Sequence, residues 1–196
     1  MSEASQPALQ TERLLLRPFA LGDAPDVQRL AGAWEVADTT LLMPHPYEAG
    51  MAEQWISTHP ARWEKREASI FAIVFRNTGQ LCGAIDLRLA EPHAIAEIGY
   101  WIGVPFWGKG CATEAGRELV TFAFRQLHLN RVYAHHFSRN PASGRVLQKI
   151  GLSYEGRLRQ HVRRWDRFED LECYGILRSE WENATRAARG TPGRSG

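Results

Sequence analysis

The chain has 196 residues, 44% hydrophobic and 23% charged, and 24 basic against 22 acidic side chains leave a formal net charge of +2. That length buries roughly 70% of the unfolded surface, enough for one sizeable core and too little for two full domains. The composition excludes collagen-like and low-complexity chains, the small charge imbalance makes a nucleic-acid or membrane partner unlikely, and Cys82, Cys111 and Cys173 form no CxxC pair that would suggest a disulfide framework or a zinc site.

Residues 1–10 are polar, carry no signal-peptide core, and read as a disordered lead-in. No apolar run approaches the ~20 residues that span a bilayer, and free thiols suit a reducing compartment, so a cytoplasmic protein is expected. Residues 11–19 form a strand ended by Pro18. A helix over 21–34 follows, with Asp23 as N-cap and Pro25 in its first turn. Pro44, Pro46 and Gly50 mark 38–50 as a loop. A second helical pattern over 52–67 is interrupted by Pro60. Strands are expected at 69–75, 81–89 and 94–102, the first two joined by the Asn77-Thr78-Gly79 turn. A glycine-bearing loop leads into a helix over 110–128, whose Ala112, Ala115, Leu119, Phe122 and Ala123 share one face. A strand at 131–137, a helix at 141–150 ended by Gly151, and strands at 154–161 and 169–177 complete the domain. Residues 184–196 read as a disordered tail. Mixed rather than alternating strands and helices, with three consecutive strands before the loop, predict an α+β layered domain, not a doubly wound sheet.

The most informative stretch is Trp107-Gly108-Lys109-Gly110-Cys111-Ala112-Thr113. Small residues between a strand and a long helix let the backbone approach a ligand, and unpaired amides at a helix start favour an anion. No GxxxxGK[ST] or GxGxxG is present, which disfavours a P-loop or a Rossmann site. Asn140-Pro141-Ala142-Ser143 follows the next strand and opens the next helix.

With these two elements the chain resembles the GNAT acetyltransferases, whose cofactor loop (Q/R)-x-x-G-x-(G/A) maps onto Trp107, Gly110 and Ala112, and whose next strand–helix junction maps onto Asn140 and Ser143. Residues 11–19, 97–115 and 140–159 are similar to the ribosomal-protein N-terminal (RimJ/RimL-type) branch. The resemblance spans residues 11–183 as a single domain and implies an α+β fold with a mixed, mostly antiparallel central sheet flanked by helices in αβα layers. It implies acetyl transfer from acetyl-CoA to a primary amine, with no metal. The phosphates would lie on the 107–113 loop, including the Lys109 segment, with Arg145 in reach. The pantetheine arm would pair with the main chain of Trp101 and Ile102, and with Asn140, whose other role would be an N-cap. Two departures stand out: Trp107 replaces a polar residue, and Leu147 occupies the place where many relatives carry a tyrosine acid.

Direct transfer needs a base, an oxyanion donor and an acid. Glu97 lies on a strand among apolar Ile95, Ala96 and Ile98, surroundings that raise a carboxyl pKa, and is the candidate base. Ser143 is the candidate acid. His135 and His136 point to opposite faces, so they do not form a metal pair. Cys111 is a small apolar filler in the loop. The acceptor groove should lie between residues 21–67, with Trp34, Trp55, Trp63, Met43, His45 and Tyr47, and the hairpin 154–177. Arg163, Arg164 and Arg167 at that hairpin's turn offer a dock for an acidic protein tail. The expected acceptor is a protein or peptide N-terminal amine. Alternatives are a small amine (amino acid, polyamine or amine antibiotic), a non-catalytic CoA-binding module, or a nucleic-acid module built on the 157–167 arginines. Exposed aromatics suit a homodimer face.

Overall fold

The computed structural model describes residues 5–189. Its strands are β1 (Leu9–Gln10), β2 (Leu14–Arg17), β3 (Ala68–Phe75), β4 (Leu81–Ala90), β5 (Ile95–Ile102), β6 (Arg131–Phe137), β7 (Ser153–Arg164) and β8 (Arg167–Leu177). Its helices are α1 (Ala24–Ala31), α2 (Trp34–Asp38), α3 (Met51–Ser57), α4 (His59–Glu64), α5 (Cys111–Arg125), α6 (Pro141–Lys149) and α7 (Arg178–Arg189). The strands form one sheet in the order β1-β2-β3-β4-β5-β6-β8-β7. Every neighbouring pair is antiparallel except β5 and β6, which are joined by the α5 crossover and run parallel.

Alternation of side chains along the strands assigns the two sides of the sheet. On β3, Phe71 is fully buried and meets Phe122 of α5 edge-on at 5.7 Å, whereas the adjacent Ile70 lines the cleft described below. Helix α5 packs on β2, β4, β5 and β6, with α6 beside it, while α1 and α4 pack on β4, β5 and β3. Burying a side chain such as Phe122 contributes on the order of 1.5–3 kcal/mol, so this core sets the position of α5 and of the loop before it.

The sequence-based boundaries need four corrections. Residues 5–10 of the expected lead-in are anchored: Gln6 donates to the Ile70 carbonyl at 2.8 Å, and Leu9 pairs with Leu16 and is buried; residues 1–4 lie outside the described residues. The helix expected over 21–34 is a 3-10 turn, then α1, then a break at Gly32–Ala33 before α2. Asp23 stands at the N-cap of α1, but its carboxylate accepts from Arg17 at 2.7 Å and from the Ala20 amide at 2.8 Å rather than from α1. The tail expected from 184 continues α7 to Arg189, because Trp181 packs on Phe124 at 5.4 Å; residues 190–196 lie outside the described residues. Among the described residues no helix is long and apolar enough to cross a membrane.

Candidate active site

The Gly-rich loop owes its shape to residues far away in sequence. Gly108 and Gly110 adopt left-handed φ of +73° and +78°, and no atom lies within 4 Å of where a Cβ at Gly108 would sit. The loop's far side is tied down by Glu114 in the first turn of α5. Its carboxylate accepts from the Thr11 hydroxyl at 2.6 Å, the Arg13 amide at 2.8 Å and Arg13 Nε at 2.7 Å. Burial pushes Glu114 up, but these donors outweigh it and hold its pKa below the usual value. Arg13 also donates to the Lys109 carbonyl at 3.1 Å. Trp107, Gly108, Gly110, Cys111, Ala112 and Thr113 line a cleft of about 1270 Å³; the Lys109 side chain does not, and lies over the Phe106 ring at 5.4 Å instead. The Trp107 indole turns back and donates to the Ile102 carbonyl at 2.6 Å. That carbonyl, expected to be available to a ligand, is therefore already engaged. Cys111 is buried, and a hydrogen bond with the Cys82 thiol, with help from Arg13, lowers its pKa despite burial.

Beyond the loop, the sheet opens. Strands β5 and β6 pair only at Ile95–Arg131, Ala96–Val132 and Glu97–Tyr133, then diverge. Residues 98–102 of β5 and 134–137 of β6 line the cleft. Trp101 and Ile102 are buried and belong both to the core and to the cleft lining.

On the α6 side of this opening, Tyr100 Oη lies 2.7 Å from Ser143 Oγ. Burial pushes the Tyr100 phenol up to about 12, with the Ser143 hydrogen bond acting in the opposite sense. Asn140 caps α6 by accepting from the Ser143 amide at 3.3 Å, and both residues line the cleft, whereas Arg145 is exposed and does not. Gly144 has a structural reason to lack a side chain: a Cβ there would stand 2.7 Å from His136 Nε2 and 3.2 Å from Tyr174 Oη. His136 is held behind it, with Nδ1 donating to the Phe137 carbonyl at 2.8 Å. Gly144→Ala is expected to destabilise the fold by about 1–3 kcal/mol through overpacking, read as a lower urea midpoint. An unchanged midpoint would show that the His136 ring swings aside.

On the opposite side lies a charged group that β4–β5 pairing assembles. Arg88 faces Glu97 and Asp86 faces Gly99. Arg88 reaches Glu97 at 3.0 Å and Asp86 at 3.9 Å, and His135 Nδ1 lies 3.5 Å from Glu97. Burial raises Glu97, but His135 and Arg88 outweigh it, so its pKa is lowered. This corrects the expectation of a raised Glu97. The raised carboxyl is Asp86, pushed up to about 6 by burial, with Arg88 pulling it down, Glu97 pushing it up and Arg62 pulling it down. Gly99 makes the room, since a Cβ there would meet Asp86 Oδ1 at 2.9 Å and Arg88 Nη2 at 3.1 Å. Sequence reasoning missed Asp86 and Tyr100. The available signals were a carboxylate inside the apolar run of β4 and a tyrosine in step with inward Ile98 and Ile102.

The cleft continues to its other end between Met43, Tyr47, Trp55 and Arg62 on one wall and His161, Val162 and Leu171 on the other. The expected juxtaposition of 21–67 with the terminal hairpin is present. Trp34, His45 and Trp63 do not line the cleft; Trp34 instead stacks with His45 and with Trp165, each at 5.1 Å. The hairpin arginines are largely consumed internally. Arg164 donates to the Ala37 carbonyl at 3.1 Å and to Met43, and Arg167 pairs with Asp38 at 2.9 Å and Glu169 at 3.0 Å. Arg163 pairs with exposed Asp166 at 2.9 Å. Arg164 and Arg167 thus clamp the hairpin tip on α2, because the tip folds back onto carbonyls and carboxylates near the end of that helix, whereas Arg163 stays at the surface. Among the described residues no group of three or more His, Cys, Asp or Glu is placed to hold a metal ion.

Comparison with known proteins agrees with this geometry. Residues 13–153 match the acetyltransferase (GNAT) domain family. The uncharacterized N-acetyltransferase YoaA of Bacillus subtilis strain 168 is 33% identical over 88% of this chain and 97% of its own length. The uncharacterized N-acetyltransferase p20 of Bacillus licheniformis is 31% identical over the same shares, 88% and 97%. The solved ribosomal-protein-S5-alanine acetyltransferase of Vibrio fischeri superposes with a TM-score of 0.79 at 19% identity, over 89% of this chain and 98% of that one, a likeness of fold. With most of its length matched by that domain and two relatives aligned nearly end to end, the chain belongs to the GNAT family, as an acetyl-CoA-dependent N-acetyltransferase.

Proposed function

We propose that the cleft transfers an acetyl group from acetyl-CoA directly to a primary amine, and that this amine is a protein or peptide N-terminus. The observation that carries the reading is the parting of β5 and β6, which joins the Gly108–Gly110 loop to the Asp86–Glu97 carboxylates through one opening. The empty space over Gly108 and the helix start behind it suit a pyrophosphate. Asp86 accepts the ammonium proton, because its pKa near 6 leaves it ionised at neutral pH yet basic enough to take one. Glu97, held ionised by Arg88 and His135, does not take the proton; its charge helps hold the approaching ammonium beside Asp86. A backbone amide of the 101–102 segment faces the carbonyl oxygen where negative charge develops. As the new C–N bond forms and the C–S bond breaks, the nitrogen sheds its second surplus proton to solvent, while Tyr100 and Ser143 together deliver one proton to the thiolate and regain it from solvent.

An N-terminal α-amine, with a pKa near ~8 against ~10.4 for lysine, is easier for such a base to neutralise. The relationship with the ribosomal-protein branch favours the same acceptor. Calorimetric titration with acetyl-CoA, followed by thiol release with peptides bearing free N-termini, tests the proposal. Micromolar binding and peptide-dependent thiol release are expected. No binding at millimolar acetyl-CoA would overturn it, and thiol release with small amines but never with peptides would overturn the choice of acceptor.

A further inference from the structure

We propose that Arg62 is an anchor for a carboxylate on the acceptor, so that the preferred substrate is a primary amine that also carries a carboxylate. The inference rests on the transferase reading above and concerns the acceptor end of the same cleft.

The charges at that end can be paired off. Arg88 is committed to Glu97 at 3.0 Å and lies 3.9 Å from Asp86. His135 lies against Glu97 as well. Arg62, projecting from α4 and half-buried, lines the cleft, yet its guanidinium has no ion-pair or hydrogen-bond partner among the described residues. It nevertheless acts on the same neighbourhood: it lowers the Asp86 pKa and, together with burial, lowers that of His59 to about 4. His59 is therefore neutral near pH 7 and contributes no competing charge. Two carboxylates and two guanidiniums balance, but one guanidinium bridges both carboxylates and the other is left with its donors directed at no protein group.

A half-buried guanidinium with five donors is best satisfied by a planar anion. The loop that suits the phosphates is too far away to supply one. It follows Ile102, five residues along β5 from Glu97, or about 17 Å at ~3.4 Å per residue. The anion must therefore come with the acceptor. The same wall carries Met43, Tyr47, Met51 and Trp55, which suit an aliphatic side chain between the two charged ends. This arrangement disfavours a polyamine, whose second cation would approach Arg62.

The carboxylate can come from a free amino acid or from an acidic side chain next to a peptide N-terminus, and the acceptor panel separates them. Acetylation is followed by thiol release with leucine against leucinamide, with a leucyl-glutamyl peptide amide against its leucyl-glutaminyl counterpart, and with spermidine. In the wild type, the acidic member of at least one pair is expected to have a kcat/KM about ten- to a hundredfold higher, mostly through KM. Leucine leading would identify the α-carboxylate, and the glutamyl peptide leading would identify the side-chain carboxylate. Arg62→Gln should bring the ratio close to one, and Arg62→Lys should restore part of it. Equal use of both members of each pair, a preference that Arg62→Gln leaves intact, or spermidine outpacing every acidic acceptor would overturn the proposal while leaving the transferase reading standing. Failure to acetylate any amine would overturn both.

Discussion

Asp86→Asn is expected to lower turnover by on the order of 10²–10⁴ while leaving acetyl-CoA affinity in place, the range that follows loss of a positioned proton acceptor. The pH profile separates this assignment from one on Glu97. With Asp86 as acceptor, kcat/KM for a pre-neutralised amine falls as pH drops through about 6. With Glu97 as acceptor the limb would fall below the ordinary 4.5, since that carboxyl is lowered. A limb below 4.5, or wild-type turnover in Asp86→Asn, would remove Asp86 from the mechanism.

The same substitution should raise stability. A carboxyl whose pKa is raised in the folded state, here from 3.8 to about 6, contributes stability below pH 4 that is lost as pH rises through about 6. At pH 7.5 the ionised Asp86 therefore costs the fold up to about 3 kcal/mol. The neutral amide avoids that cost, and Asp86 has no hydrogen bond closer than its 3.9 Å approach to Arg88 to lose. Asp86→Asn should melt several degrees higher at pH 7.5 and show no gain near pH 4. A reduced melting temperature at pH 7.5 would show that the carboxylate is net stabilising, contrary to its position.

The second large effect is expected at the Tyr100–Ser143 pair. Tyr100→Phe and Ser143→Ala should each lower turnover by roughly ten- to a hundredfold. This is less than for the base, because a thiolate with a conjugate-acid pKa near ~8.5 is a fair leaving group without help. The two hydroxyls are 2.7 Å apart and act on one proton, so the double variant should be little worse than either single one. Multiplied losses would mean independent roles, and wild-type turnover in both single variants would leave the thiolate to be protonated by water.

Much of the chain is legible from sequence because its signals are local. The alternation in β3 to β6, the turn at Gly79, the stop at Gly151 and the small residues before α5 each depend on neighbours within a few positions. The loop, the strand carrying Glu97 and the helix start at Asn140 follow from such signals, and their order along the chain is enough to suggest the family. Residues 5–10 and 184–189 read as disordered in sequence but are ordered, because polarity is a poor guide where one residue, Leu9 or Trp181, finds a place against the finished core.

The chemistry depends on pairings that sequence does not display. Asp86 differs from Glu97 because β4–β5 register gives Arg88 at 3.0 Å and His135 to one carboxylate and leaves the other beside Gly99 with Arg88 no nearer than 3.9 Å. Tyr100 meets Ser143 across 43 residues of chain, which supplies a hydroxyl pair where Leu147 offers none. Arg164 and Arg167 of the hairpin look like part of a docking site in sequence but are spent on the α2 region, while Arg62, unremarkable in sequence, is left without a partner among the described residues in the cleft. Sequence by itself determined most of the strands and helices, the glycine-bearing loop before α5 and the family. Only the tertiary structure decided which charges are neutralised and which face the cleft, because a side chain's protonation and availability depend on through-space neighbours a few ångströms away.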